Sequence, residues 1–84
     1  MLQFTPKAWE QYISWQQLDR KKLQKINLLI RDILRSPFEG AGKPEPLKGD
    51  FRGFWSRRID EEHRLVYSYE RETLTIIACK YHYE

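Results

Sequence analysis

The periodicity of apolar residues changes once along this chain, near residue 36, and no other feature limits the fold as tightly. Upstream, Ala8, Tyr12 and Trp15 recur at helical spacing, with Trp9 and Ile13 widening the stripe. Leu23, Ile26, Ile30, Ile33 and Leu34 make a second apolar helix face. Downstream the pattern becomes that of strands, over residues 54–59, 64–69 and 74–81 or beyond. Their connections are short and polar, which suits an antiparallel meander. A brief alternating run at residues 2–4 adds an edge strand. The order β-α-α-β-β-β predicts a single α+β domain over residues 1–84, with a helical hairpin packed on a mainly antiparallel twisted sheet.

Local signals place the boundaries. Thr5-Pro6 reads as an N-cap followed by proline at the first helical position. Asp19 is a candidate cap for the second helix. Ser36-Pro37 ends it, because the residue before a proline is driven out of helical geometry. Residues 36–50 hold Pro37, Pro44 and Pro46 beside Gly40, Gly42 and Gly49, and so read as a loop. A loop of this length in a small domain is usually functional, and this one carries Lys43, Glu45 and Lys48 between stiffening prolines. The last strand is apolar on both faces, Leu74, Ile76 and Ala78 on one and Ile77, Cys79 and Tyr81 on the other, as a central strand would be.

Several classes are disfavoured early. No apolar run approaches the roughly 20 residues that span a bilayer. No charged segment followed by an apolar one opens the chain, so a cytoplasmic protein without membrane attachment is expected. Cys79 is alone, which excludes an internal disulfide framework and fits a reducing compartment. The net charge of +3 is modest, but its distribution is uneven. Arg20, Lys21, Lys22, Lys25, Arg31 and Arg35 share their stretch with one anion, Asp32. Lys43, Lys48, Arg52, Arg57 and Arg58 share theirs with Glu45 and Asp50. Two such clusters suit a polyanionic partner, and they also suit ordinary solvated surfaces.

Elimination narrows the chemistry. Two histidines and one cysteine cannot supply a four-ligand structural zinc site from one protomer. Asp60-Glu61-Glu62 reads as a solvated polar turn before it reads as a magnesium site. Cys79, in an apolar stretch, reads as a core residue and not as a reactive thiolate. General acid–base chemistry remains. Cleavage of RNA by its own 2′-hydroxyl needs a base, an acid and a cation for the phosphorane. Glu45, His82 and Arg64 can fill those roles without a metal. Each also has a plain structural reading: a solvated glutamate between prolines, an exposed histidine near the end of the last strand, and an arginine paired with Glu61 or Glu62.

Five ordered segments carry a resemblance: Pro37-Phe38-Glu39-Gly40, Gly42-Lys43-Pro44-Glu45-Pro46-Leu47-Lys48, Gly53-Phe54-Trp55-Ser56-Arg57-Arg58-Ile59, Glu61-Glu62-His63-Arg64-Leu65-Val66-Tyr67 and Tyr81-His82-Tyr83. Together they resemble the YoeB branch of the RelE/ParE toxin superfamily. The resemblance implies a RelE-like fold and a type II toxin that cleaves messenger RNA in the ribosomal A site, with no cofactor. It implies Glu45 as general base, His82 as general acid and Arg64 as the transition-state cation. Lys48 and Arg58 would be further phosphate contacts, Tyr83 would help place the substrate or the terminal strand, and His63 would help hold substrate. A homodimer and a YefM-like antitoxin are implied as partners. Lys21, Lys22 and Lys25, by their clustering, are candidate contacts to ribosomal RNA. One departure stands out: the family pattern commonly ends at the tyrosine, whereas Glu84 follows Tyr83 here. Its charge could keep His82 protonated or could hinder RNA access.

Two other functions fit the same fold. One is a non-catalytic ParE-like toxin that binds a topoisomerase; the other is a plain RNA-binding module using Phe54-Trp55-Ser56-Arg57-Arg58. The acid, base and cation favour the nuclease, because an inhibitor has no use for them.

Overall fold

Thr5 and Asp19 set where the two helices begin. In the structure, a computed structural model that describes residues 1–81, Thr5 Oγ1 accepts the Ala8 N–H at 3.1 Å. Asp19 Oδ1 accepts the N–H groups of Lys21 and Lys22 at 3.0 and 3.3 Å. Helix α1 runs Pro6–Leu18 and α2 runs Arg20–Arg35, ending at Ser36 as the Ser-Pro pair predicts. Around them lie β1 (Leu2–Phe4), β2 (Glu45–Pro46), β3 (Trp55–Arg58), β4 (Arg64–Glu70) and β5 (Thr73–Ala78).

The sheet order is β1-β5-β4-β3-β2. Strands β2 to β5 pair antiparallel, and β1 pairs parallel with β5. The loop of residues 36–50 is therefore not structureless: its Glu45–Pro46 segment forms an edge strand opposite Trp55 and Ser56, and Gly49–Phe51 forms one 3₁₀ turn. An edge position explains the prolines, which cannot donate to a ladder on both sides.

Helix α1 supplies Ala8 and Trp15 to the core, and α2 supplies Ile26, Leu29, Ile30 and Ile33. Leu65, Tyr67, Leu74, Ile76 and Cys79 meet them from the sheet. Two expectations need correction. Leu34 is exposed and Leu29 takes its place, and Trp9 and Ile13 lie outside the buried stripe. Trp9 instead stacks with Tyr12 at 5.7 Å and meets Phe4 edge-on at 5.4 Å. The faces of β5 also differ from simple alternation. A register shift between Val66 and Tyr67 places Ala78 opposite Val66 while Ile76 stays opposite Tyr67. Cys79 thereby joins Leu74 and Ile76 in the core. Burial pushes its thiol up to about 12, which removes it as a nucleophile at neutral pH.

Side chains of α1 close the end of β5. Cys79 donates its N–H to Gln11 Oε1 at 2.7 Å, and its carbonyl accepts Trp15 Nε1–H at 2.9 Å. The ladder stops at Ala78, three residues short of the predicted strand end, because its next polar groups belong to a helix.

Candidate active site

Alternation along β3 sorts two adjacent arginines onto opposite faces of the sheet. Arg57 points to the helices and is completely buried. Its guanidinium uses all five donor directions, to Tyr67 Oη, Asp32 Oδ2, and the carbonyls of Ala41, Ser36 and Glu39. Tyr67 Oη in turn donates to the Pro37 carbonyl at 2.7 Å, and Asp32 accepts the Ala41 N–H at 3.0 Å. The Ala41 N–H and the Arg57 guanidinium hold the Asp32 carboxyl below its ordinary value. This network fixes residues 36–41 over the end of α2. Gly40 passes so close to Asp32, at φ +122°, that a β-carbon has no room there. Arg57, counted above in a basic cluster, is thus a structural cation and not a free one.

Arg58 is exposed on the other face, paired across the ladder with Arg64. Glu45 sits on the same face, opposite Ser56. The geometry brings Glu45 and Arg64 together: Arg64 Nη1 donates to Glu45 Oε1 at 3.1 Å, with the carboxylate side chain 57% exposed and the guanidinium 19%. Arg64 does not pair with Glu61 or Glu62. Between Glu45 and Val66, Ser56 Oγ is buried with no hydrogen-bond partner among the described residues. Lys48 is exposed at the N-cap of the 3₁₀ turn.

The turn after β3 is built by Asp60. Its Oδ1 accepts the N–H groups of Glu62 and His63, and its Oδ2 faces Lys22 Nζ at 2.6 Å. Burial opposes ionisation of Asp60, yet Lys22 and these N–H groups outweigh it and bring the carboxyl down to about 2. Asp60 raises the pKa of Lys22 in return. The two groups expected from the acidic turn and the lysine cluster therefore meet, and Lys22 is a paired cation. Lys21 is exposed. Lys25 lines a hollow of about 350 Å³ with Lys43 and Arg58, bordered by Asp60 and Glu61.

His63 lies beneath this turn, not on the open face. It is 7% exposed, packs edge-on against Trp15 at 4.8 Å, and accepts the Tyr81 N–H on Nδ1 at 2.8 Å. The Tyr81 carbonyl accepts the Arg64 N–H at 3.1 Å. His82, Tyr83 and Glu84, with the acid assignment and the departure at the end of the pattern, lie outside the described residues. Among the described residues no three His, Cys, Asp or Glu side chains gather as a metal site. No described helix is long and apolar enough to cross a membrane.

The buried Arg57 and the tie between Asp32 and the Pro/Gly loop went unread in the sequence. A signal existed in the period-2 alternation, which forces Arg57 and Arg58 apart, and in Asp32, the one acid among six cations.

Comparison with known proteins identifies the lineage. A family model described as YoeB-like toxin of bacterial type II toxin-antitoxin system matches residues 4–83. Toxin YoeB of Escherichia coli (strain K12) is 55% identical over 80 residues, 95% of each chain. A YoeB/ParE toxin from Agrobacterium tumefaciens superposes with a TM-score of 0.95 at 50% identity, covering 98% of both chains. YoeB from Staphylococcus aureus, 48% identical, has been solved in a heterotetrameric YoeB-YefM complex and as a dimer. The TM-scores are 0.92 and 0.91, covering 99% and 98% of this chain and 97% and 95% of those chains. The family match runs through both helices, strands β2 to β5 and the loop that bears Glu45, and the chain belongs to the YoeB-like toxins of bacterial type II toxin-antitoxin systems.

Proposed function

We propose that this toxin is a ribosome-dependent endoribonuclease that cuts messenger RNA in the A site by metal-independent acid–base catalysis. The observation that carries the reading is the Arg64–Glu45 contact of 3.1 Å, a cation on β4 and a base on β2 that meet across the intervening β3. Glu45 takes the 2′-hydroxyl proton as the 2′-oxygen attacks phosphorus. Arg64 offsets the charge of the phosphorane, with Arg58 and Lys48 on the neighbouring phosphates. His82 protonates the 5′-oxygen as the P–O5′ bond breaks, and Tyr83 supports the substrate. The products are a 2′,3′-cyclic phosphate and a 5′-hydroxyl. Lys21 and Lys25 contact ribosomal RNA.

The partners follow by likeness. A YefM-like antitoxin neutralises the chain, and two copies form a homodimer, as the complex and dimer known for the Staphylococcus aureus protein support. The cytoplasm is where the ribosome places it.

Primer extension on messages in a purified translation system tests the reading. Discrete cuts that require ribosomes are expected, and they disappear in Glu45→Gln and Arg64→Ala. Intact messages together with inhibited supercoiling would move the chain to the topoisomerase-binding toxins.

A further inference from the structure

His63 is buried, yet it faces the chain segment that leads to the proposed acid. Beyond β5 the chain is fixed at two alternate residues. Cys79 is held on both polar groups by Gln11 and Trp15. Tyr81 is held on both by the residues that enter β4: its N–H by His63 Nδ1 in the preceding turn at 2.8 Å, and its carbonyl by the N–H of Arg64, the first residue of the strand, at 3.1 Å. Between them Lys80 Nζ reaches Ser14 Oγ at 3.4 Å. Tyr81 adopts φ +68°, a left-handed conformation that a tyrosine holds only when its surroundings impose it. Tyr81 is the residue that precedes His82 in the chain.

We propose that His63 is a positioning residue for the terminal acid, acting as the hydrogen-bond acceptor that clamps Tyr81 and so sets where His82 starts. This rests on the reading of His82 as general acid. The clamp requires a lone pair on Nδ1, so the imidazole is neutral with its proton on Nε2. Three contacts hold that ring. The Trp15 edge lies at 4.8 Å, the Tyr81 ring at 5.7 Å, and Glu62 Oε1 stands 3.6 Å from Nε2, on the side of that proton. Asp60 fixes the backbone beneath it by accepting the His63 N–H at 2.6 Å. The same two residues, His63 and Arg64, thus present the cation to one side of the site and anchor the acid-bearing segment on the other.

Two variants separate the acceptor from the ring. His63→Asn keeps an oxygen where Nδ1 stands and loses the ring; His63→Phe keeps the ring and loses the acceptor. In ribosome-bound single-turnover cleavage, His63→Phe is expected to lose roughly 10- to 100-fold in rate, since a misplaced catalytic group costs that much. His63→Asn should recover most of it. A message with a 5′-bridging sulfur at the scissile phosphate supplies a leaving group that needs no proton. On it the deficits of His63→Phe and His82→Ala should both shrink to within a few-fold of wild type. A His63→Phe deficit that persists on the sulfur substrate, while that of His82→Ala vanishes, overturns the proposal. A persistent His82→Ala deficit removes the acid role of His82 itself, and this proposal with it. If His63→Phe does not fold, nitrogen-15 NMR of the wild-type imidazoles decides. An Nε2–H tautomer at His63 supports the clamp, and an Nδ1–H tautomer or an imidazolium at assay pH overturns it.

Discussion

Arg64 and Glu45, 19 residues apart in the chain, share a hydrogen bond of 3.1 Å across the end of the sheet. The Glu45 side chain is mostly open to solvent although that of Arg64 is largely covered, and pairs screened by solvent in this way are worth about 0.2–1 kcal/mol. In the proposed reaction a phosphate would take the guanidinium from the carboxylate at little cost, and Glu45 would be free to accept a proton as Arg64 engages substrate. Contact in the free protein is compatible with the proposed separation of roles because the bond between them is weak.

Glu45→Gln tests that arrangement. Cleavage on the ribosome should fall by about two to four orders of magnitude, the usual loss for a general base. KM should not rise, since the variant removes the only carboxylate competing with phosphate for Arg64 among the described residues. Single-turnover rates across enzyme concentration yield both quantities. A wild-type rate would end the assignment of Glu45 as base.

Arg57→Met addresses stability apart from catalysis. The substitution leaves Asp32, Tyr67 and the carbonyls of Ser36, Glu39 and Ala41 without their donor. Breaking one side of a buried ion pair costs about 3–5 kcal/mol. Arg57→Lys should recover little, because an ammonium cannot reproduce the planar fork. Urea unfolding measures the loss, and a stability within 1 kcal/mol of wild type would contradict the network's role.

Asp60 predicts an acid limb of stability. Its carboxyl titrates at about 2 in the folded chain against an ordinary 3.8, so the folded state binds fewer protons in between. The stabilisation is fully present above pH 3.8 and drains away as pH falls through 2. Asp32 is shifted in the same direction. Urea midpoints taken from pH 5 down to pH 2 should decline, and Asp60→Asn should flatten part of the decline. An identical slope in the variant would count against the Lys22–Asp60 contact in solution.

The lysines of α2 should not behave alike. Lys21→Glu and Lys25→Glu are expected to weaken ribosome binding and reduce its salt dependence, roughly by one unit of slope for each lost phosphate contact. Lys22→Ala should act mainly on stability, because its ammonium is already held by Asp60. Equal changes in salt slope for all three would show that Lys22 leaves Asp60 to bind RNA.

The sequence by itself determined the elements and their limits. Thr5, Asp19 and Ser36 act through hydrogen bonds to residues a few positions away, so their effect is readable locally. The alternation after residue 54 marked the strands for the same reason. It also brought Glu45 and Arg64 forward as candidates, through motif order. Tertiary structure alone decided which of two adjacent arginines is buried, that β1 lies parallel to β5, and that a register shift turns Cys79 into the core. It also decided that Arg64 meets Glu45 and not Glu61 or Glu62, and that His63 faces Tyr81. Periodicity states that neighbours point apart, but which side is inside depends on where the helices pack. That is set by burial summed over the whole chain, and no local stretch contains it.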